Sequence, residues 1–181
     1  MAKLLKELTS ELQEFIQQQK VFFVGTAANE GRVNISPKGM DTLRVTDSNT
    51  VIWLNLTGSG NETAAHLLKN NRMTIMFCSF EGKPLILRLY GNAKTFHPSE
   101  QKYQEYISLF PETPGSRQII EMHVDLVQTS CGYAVPFMDF KEERTQLNTW
   151  AQKQGEERLD KYRKEKNVSS IDGFETGLPN E

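Results

Sequence analysis

"NLTGSGNETAAHLLKNNRMTIMF", residues 55–77, decides how this chain is read. An apolar run ends in a burst of Thr, Ser, Asn and two Gly, then restarts as a helix and a second apolar run. Asn61 or Gly60 stands at the cap position of that helix, and Thr63 falls in its first turn. Backbone N–H groups at a helix start suit an anion such as phosphate, and glycine lets the backbone approach a ligand closely. The plain alternative is a well-capped helix after a loop, because "GSGNET" has neither the Lys of a Walker loop nor the third Gly of a Rossmann turn. Upstream, "NISPKGMDTLRV" (34–45) supplies Ser36, Lys38 and Arg44 near strand ends. Two cations beside helix-start amides favour a dianionic ligand, although each alone also reads as a solvated surface residue.

Working outward, short β-rich runs near 21–28, 32–36, 41–46 and 50–56 precede the helix near 61–70, and further runs follow near 72–79 and 84–95. Turn residues separate them, as in "NEG", "SPKG" and "TDSNT". With so few helices between strands, an antiparallel barrel or sandwich is favoured over a doubly wound parallel sheet. Residues 3–18 carry Leu4, Leu5, Leu8, Leu12, Phe15 and Ile16 on a helical stripe, which predicts an amphipathic N-terminal helix over 1–19. "HPSEQKYQEYISLF" predicts a helix over 99–109 capped by Ser99, and "RQIIEMHVDLVQTS" predicts a strand with Ile120, Met122, Val124 and Leu126 facing in. A charged helix over 142–166 and an extended tail complete a single domain over 1–181, with the barrel at 20–136 and the helix and tail at 137–181.

Composition narrows the function classes. The 21 Lys and Arg against 23 Asp and Glu give a formal charge of -2, which offers no general attraction for nucleic acid. No apolar run is long enough to cross a bilayer, and the opening residues resemble neither a secretory signal nor a transit peptide, so a cytoplasmic location is expected. Cys78 and Cys131 are too few for a disulfide framework, and His66, His97 and His123 share no ligand spacing, so no metal is assigned.

Taken in order, "FFVGTAANEGRVNISPKG" (22–39), "RVTDSNTVIWLNLTGSGNETAAHLLKNNRMTIMFCSF" (44–80), "ILRLYGNAK" (86–94) and "VQTSCGYAVP" (127–136) resemble the pyridoxamine 5'-phosphate oxidase-related flavoproteins, across roughly residues 20–136. That resemblance implies an FMN-binding split β-barrel, antiparallel, six-stranded and Greek-key-like. It further implies a homodimer holding FMN at the subunit interface. Lys38 and Arg44 become the basic candidates for the flavin phosphate, with Ser36 beside them and Ser59, Asn61 and Thr63 at the helix start. Asn55 and Thr57 would meet the flavin ring edge or ribityl chain, and Arg88 would reach the phosphate or the dimer partner. On the substrate side stand Gln128, Cys131 and Tyr133, with Cys131 read more readily as a packed thiol than a redox one.

Two departures from the family pattern carry consequences. Where the oxidase has a Ser-Arg-Lys run at the helix start, this chain reads "NET", so two cations are missing and Glu62 is predicted to face solvent. The C-terminal Arg and His segment that closes the vitamin B6 oxidase site has no counterpart in "SIDGFETGLPNE". The implied function is therefore an FMN-dependent oxidoreductase with an unassigned small-molecule substrate and an electron donor such as NAD(P)H. A non-catalytic binder of flavin, deazaflavin or haem is the alternative, and an interaction protein that has lost its cofactor is a third.

Overall fold

The computed structural model describes residues 2–178. Along the chain run β1 (Lys3–Leu5), α1 (Ser10–Gln18), β2 (Phe22–Thr26), β3 (Asn34–Lys38), β4 (Leu43–Val45), β5 (Thr50–Leu56), α2 (Glu62–Lys69), β6 (Arg72–Cys78), β7 (Ile86–Phe96), α3 (Gln101–Ile107), β8 (Ser116–Ser130) and α4 (Gln146–Lys166). The strands form one antiparallel sheet in the order β3-β2-β6-β7-β8-β5-β4, with β1 added beside β8. It curls as a half-barrel whose edge strands are β3 and β4. Among the described residues there are eight strands, against six implied by the resemblance and seven read from the residues, the added one being the three-residue β1.

The inner face packs Phe22, Val24, Trp53, Met73, Ile75, Leu87, Leu89 and Met122 against Leu12 and Ile16 of α1. A second cluster puts Ile52, Leu54 and Ile119 against Phe96, Tyr103 and Phe110 around α3. Both faces of β5 are thus covered, which is why "VIWL" is apolar without alternating. No helix among the described residues is long and apolar enough to cross a membrane.

Several sequence expectations need correction. Residues 3–5 are strand, not helix: Lys3, Leu4 and Leu5 pair with Thr129, Gln128 and Val127 of β8, and the helix starts only after Thr9, whose hydroxyl accepts the Leu12 amide at 3.4 Å. The α3 cap position belongs to Glu100 instead of Ser99, and its carboxylate accepts the His97 amide at 2.7 Å. β8 changes phase midway, since Tyr90 pairs with Leu126 but Gly91 with Val124, leaving Asp125 as an inserted residue. Val127 is consequently fully buried and Leu126 is the partly exposed one. α4 begins at Gln146, not 142, and breaks at Gly155 (φ 68, ψ 166). The tail beyond it is irregular, with one bridge between Ser169 and Glu175, and its last predicted residues, 179–181, lie outside the described residues.

Candidate functional site

Strand alternation aims one face of β3 inward: Asn34, Ser36 and Lys38 are half-buried while Ile35 and Pro37 are exposed. These three residues, Trp53 and Asn55 of β5, and the loop into α2 enclose a cavity of about 270 Å³, with Ser59, Asn61, Glu62, Thr63 and Arg117 on its far wall. The Lys38 ammonium lies 5.0 Å from the centre of the Trp53 ring. Burial, reinforced by the Arg117 charge, pushes Lys38 down to about 8.

The loop is held by the far end of the chain. Asn167 donates from Nδ2 to the Gly58 carbonyl (3.0 Å), and its own carbonyl accepts Asn61 Nδ2 (3.3 Å) and Thr176 Oγ1 (2.6 Å). Arg163 Nε donates to Thr57 Oγ1 at 2.9 Å, and Thr57 in turn donates to the Gly115 carbonyl at 2.8 Å. Arg117 Nη1 donates to Asn167 Oδ1 at 2.6 Å and to the Gly60 carbonyl at 3.1 Å. Asn55 donates to Gln118 Oε1 at 3.2 Å, and Asn34 donates to Thr63 Oγ1 at 3.3 Å. Asn61 occupies the cap position of α2 but makes no side-chain cap bond, because its amide is turned to Asn167 and Asn55.

The predicted residues therefore divide. Ser36, Lys38, Asn55, Ser59, Asn61 and Thr63 come together around the cavity. Thr57 is 1% exposed, with its hydroxyl engaged by Gly115 and Arg163. Arg44 lies elsewhere, forked onto Asp41 (2.7 and 2.9 Å) with its guanidinium 4.8 Å from the Phe110 ring centre. Arg88 donates to Ser130 Oγ at 3.1 Å, next to a Tyr90–Gln128 hydrogen bond of 3.0 Å. Cys131 and Tyr133 are exposed at that same end of β8, ~40 Å along the strand from Arg117 at the usual rise per residue. Glu62 does not simply face solvent: its two carboxylate oxygens accept the Ile171 amide at 3.1 and 3.2 Å.

Sequence reasoning missed Arg117, Gln118, Arg163 and Asn167. Arg117 and Gln118 are 3% and 0% exposed, and the one available signal was an Arg-Gln pair heading a strand of Ile and Met. Arg117 is drawn down to about 9, first by burial and then by the neighbouring Arg163 charge, yet a guanidinium there stays protonated at neutral pH. Lys38 also lines a second, larger groove of about 1010 Å³, walled by Phe15, Val21, Met40, Phe80, Met138 and Phe140. A polar cavity with cations and an apolar groove thus meet at one lysine.

Residues 8–131 match the family model described as pyridoxamine 5'-phosphate oxidase. A curated relative, the pyridoxamine 5'-phosphate oxidase family protein ustO of Aspergillus flavus, is 35% identical over 139 residues, covering 74% of this chain and 56% of its own. The chain thus spans little more than half the length of that relative. Among solved structures, a HupZ variant from Group A Streptococcus aligns with a TM-score of 0.56 at 20% identity, over 68% of this chain and 99% of that one. An FAD binding protein from Mycobacterium smegmatis aligns with a TM-score of 0.50 at 12% identity, over 70% and 97%. At such identities these two likenesses show the fold alone.

Proposed function

The chain belongs to the pyridoxamine 5'-phosphate oxidase family, and from that premise we propose that it is an FMN-dependent oxidoreductase, working as a homodimer on a small molecule. The observation that carries this reading is that Lys38 and Arg117 line one cavity and neither makes an ion pair among the described residues. Buried charge without a partner is costly, and an anionic ligand removes that cost. Arg117 Nε, buried and without a hydrogen-bond partner, supplies an orphaned donor of the kind a phosphate oxygen satisfies.

The rest of the lining fits the remainder of the molecule. Ser59, Thr63 and the uncapped first turn of α2 offer neutral donors for the phosphate end. Beyond Lys38, the groove of Phe15, Met40, Phe80 and Phe140 suits a planar apolar ring. Bound FMN would supply hydride and electron transfer, leaving this chain to bind, orient and exclude water. Tyr133 and Phe137, exposed beyond β8 and outside that groove, are the apolar side chains we assign to contact with a second copy.

Two measurements test the reading. Purified protein titrated with FMN should quench flavin fluorescence, and anaerobic NADH or NADPH should bleach the bound flavin. Protein that takes up no FMN removes the proposal. Uptake without bleaching by any donor leaves a flavin carrier, the alternative that the fold's likeness to an FAD binding protein supports.

A further inference from the structure

The geometry points to Arg117 as the residue that makes this site specific for a phosphorylated ligand, taking from β8 the place that helix-start cations would otherwise fill. This rests on the FMN reading above. The α2 start, "NET", brings no cation of its own, and its one charged side chain, Glu62, is negative.

Three features of Arg117 separate it from the other cations near the loop. It is 3% exposed, so its charge is largely withdrawn from bulk solvent. Arg163, close by, is neutralised by Asp160 at 2.7 Å and Glu156 at 3.7 Å, whereas Arg117 makes only neutral contacts, to Gly60 and Asn167. Both of those contacts use Nη1, which leaves Nε buried and unpartnered. A guanidinium fixed on one nitrogen by an amide and a carbonyl is oriented in advance, and a planar fork so held matches two oxygens of a phosphate. Lys38 differs in kind: its ammonium rests over Trp53 and also borders the apolar groove, so it contributes charge without comparable direction.

The discriminating experiment compares FMN with riboflavin, which share the ring and differ in the phosphate. Wild-type protein, Arg117→Gln and Arg117→Lys are titrated with each flavin by fluorescence, with inorganic phosphate as a competitor. Wild type should prefer FMN, and phosphate should displace it. Arg117→Gln should lose FMN affinity by about 10- to 100-fold, the range for a charge-assisted hydrogen bond, while riboflavin affinity stays within about threefold. Arg117→Lys keeps the charge without the fork and should fall between the two, which preserves the test if the glutamine variant is poorly folded. Equal losses for both flavins, or an unchanged FMN preference in either folded variant, overturns the role of Arg117 and leaves the FMN reading standing. Failure of wild type to bind either flavin overturns both.

Discussion

Arg117 and Asn167, fifty residues apart, meet at 2.6 Å beneath the loop that opens α2. The contact is charged on one side only, and that asymmetry sets the first prediction. Asn167→Asp places a carboxylate against the guanidinium and completes an ion pair in a buried setting. FMN affinity should fall by at least about tenfold because the cation is already neutralised, while urea stability balances the ion pair gained against the lost Nδ2 donation to the Gly58 carbonyl. A variant with FMN affinity unchanged would contradict the charge argument.

Lys38 gives a pH dependence with a definite sign. Its folded-state value of about 8 lies below the ordinary lysine value of 10.5. The unfolded chain therefore binds more protons between those values, and ligand-free stability should rise with pH across that window. Anion affinity runs the other way, because the protonated ammonium is the binding form. It should hold from about pH 6, where a phosphate monoester becomes dianionic, to about pH 8, and fall above. FMN titrations across that range, repeated with Lys38→Met, check it; the variant should show no decline centred near pH 8.

Glu62 opposes the ligand electrostatically while holding the tail through Ile171. Glu62→Gln keeps an oxygen acceptor for that amide and removes the negative charge. FMN affinity should rise by about 3- to 10-fold at low salt, with a smaller gain at high salt as screening grows. Titration at two ionic strengths distinguishes this from a change in packing, which salt would not erase.

Arg44 serves as the negative control. Its fork onto Asp41 and its stacking on Phe110 place it outside the cavity. Arg44→Ala should leave FMN affinity within about twofold, and the loss of a partly exposed ion pair should cost about 1 kcal/mol or less. A larger loss of affinity would show that the cavity extends to β4.

Gly91 tests the bulge. A Cβ at this position would run into the His123 carbonyl and crowd Val124, both backbone. Gly91→Ala should destabilise the protein by about 3 kcal/mol or more, as overpacking against an immovable main chain does. Urea midpoints measure the loss, and near-wild-type stability would mean that β7 and β8 can separate there.

Much of this architecture was legible in the residues. Seven strands, β2 to β8, and α2 follow from alternation and turn chemistry, and the sequence already groups Lys38 with Ser59, Asn61 and Thr63 as candidates. What escaped has a common cause in long-range pairing. Lys3–Leu5 is too short to declare itself a strand and becomes one because β8 offers an edge. Asp125 reads as an ordinary outward residue until β7 supplies the register that makes it surplus. Lys38 and Arg44 look equivalent in sequence, yet one lies over Trp53 and the other is drawn aside by Asp41 and Phe110. Arg117 was passed over because its importance comes from Gly60 and Asn167, neither of which is its neighbour in the chain.

The tethering of residues 57–61 by Arg163 and Asn167 makes the loop depend on a segment that is synthesised after the whole sheet. Chains emerge from the ribosome with earlier segments free to fold first. A nascent polypeptide with β8 already outside would hold a guanidinium charge that no amide yet steadies. On the FMN reading, the phosphate end of the cavity is complete only once residues 163–167 have docked on that loop.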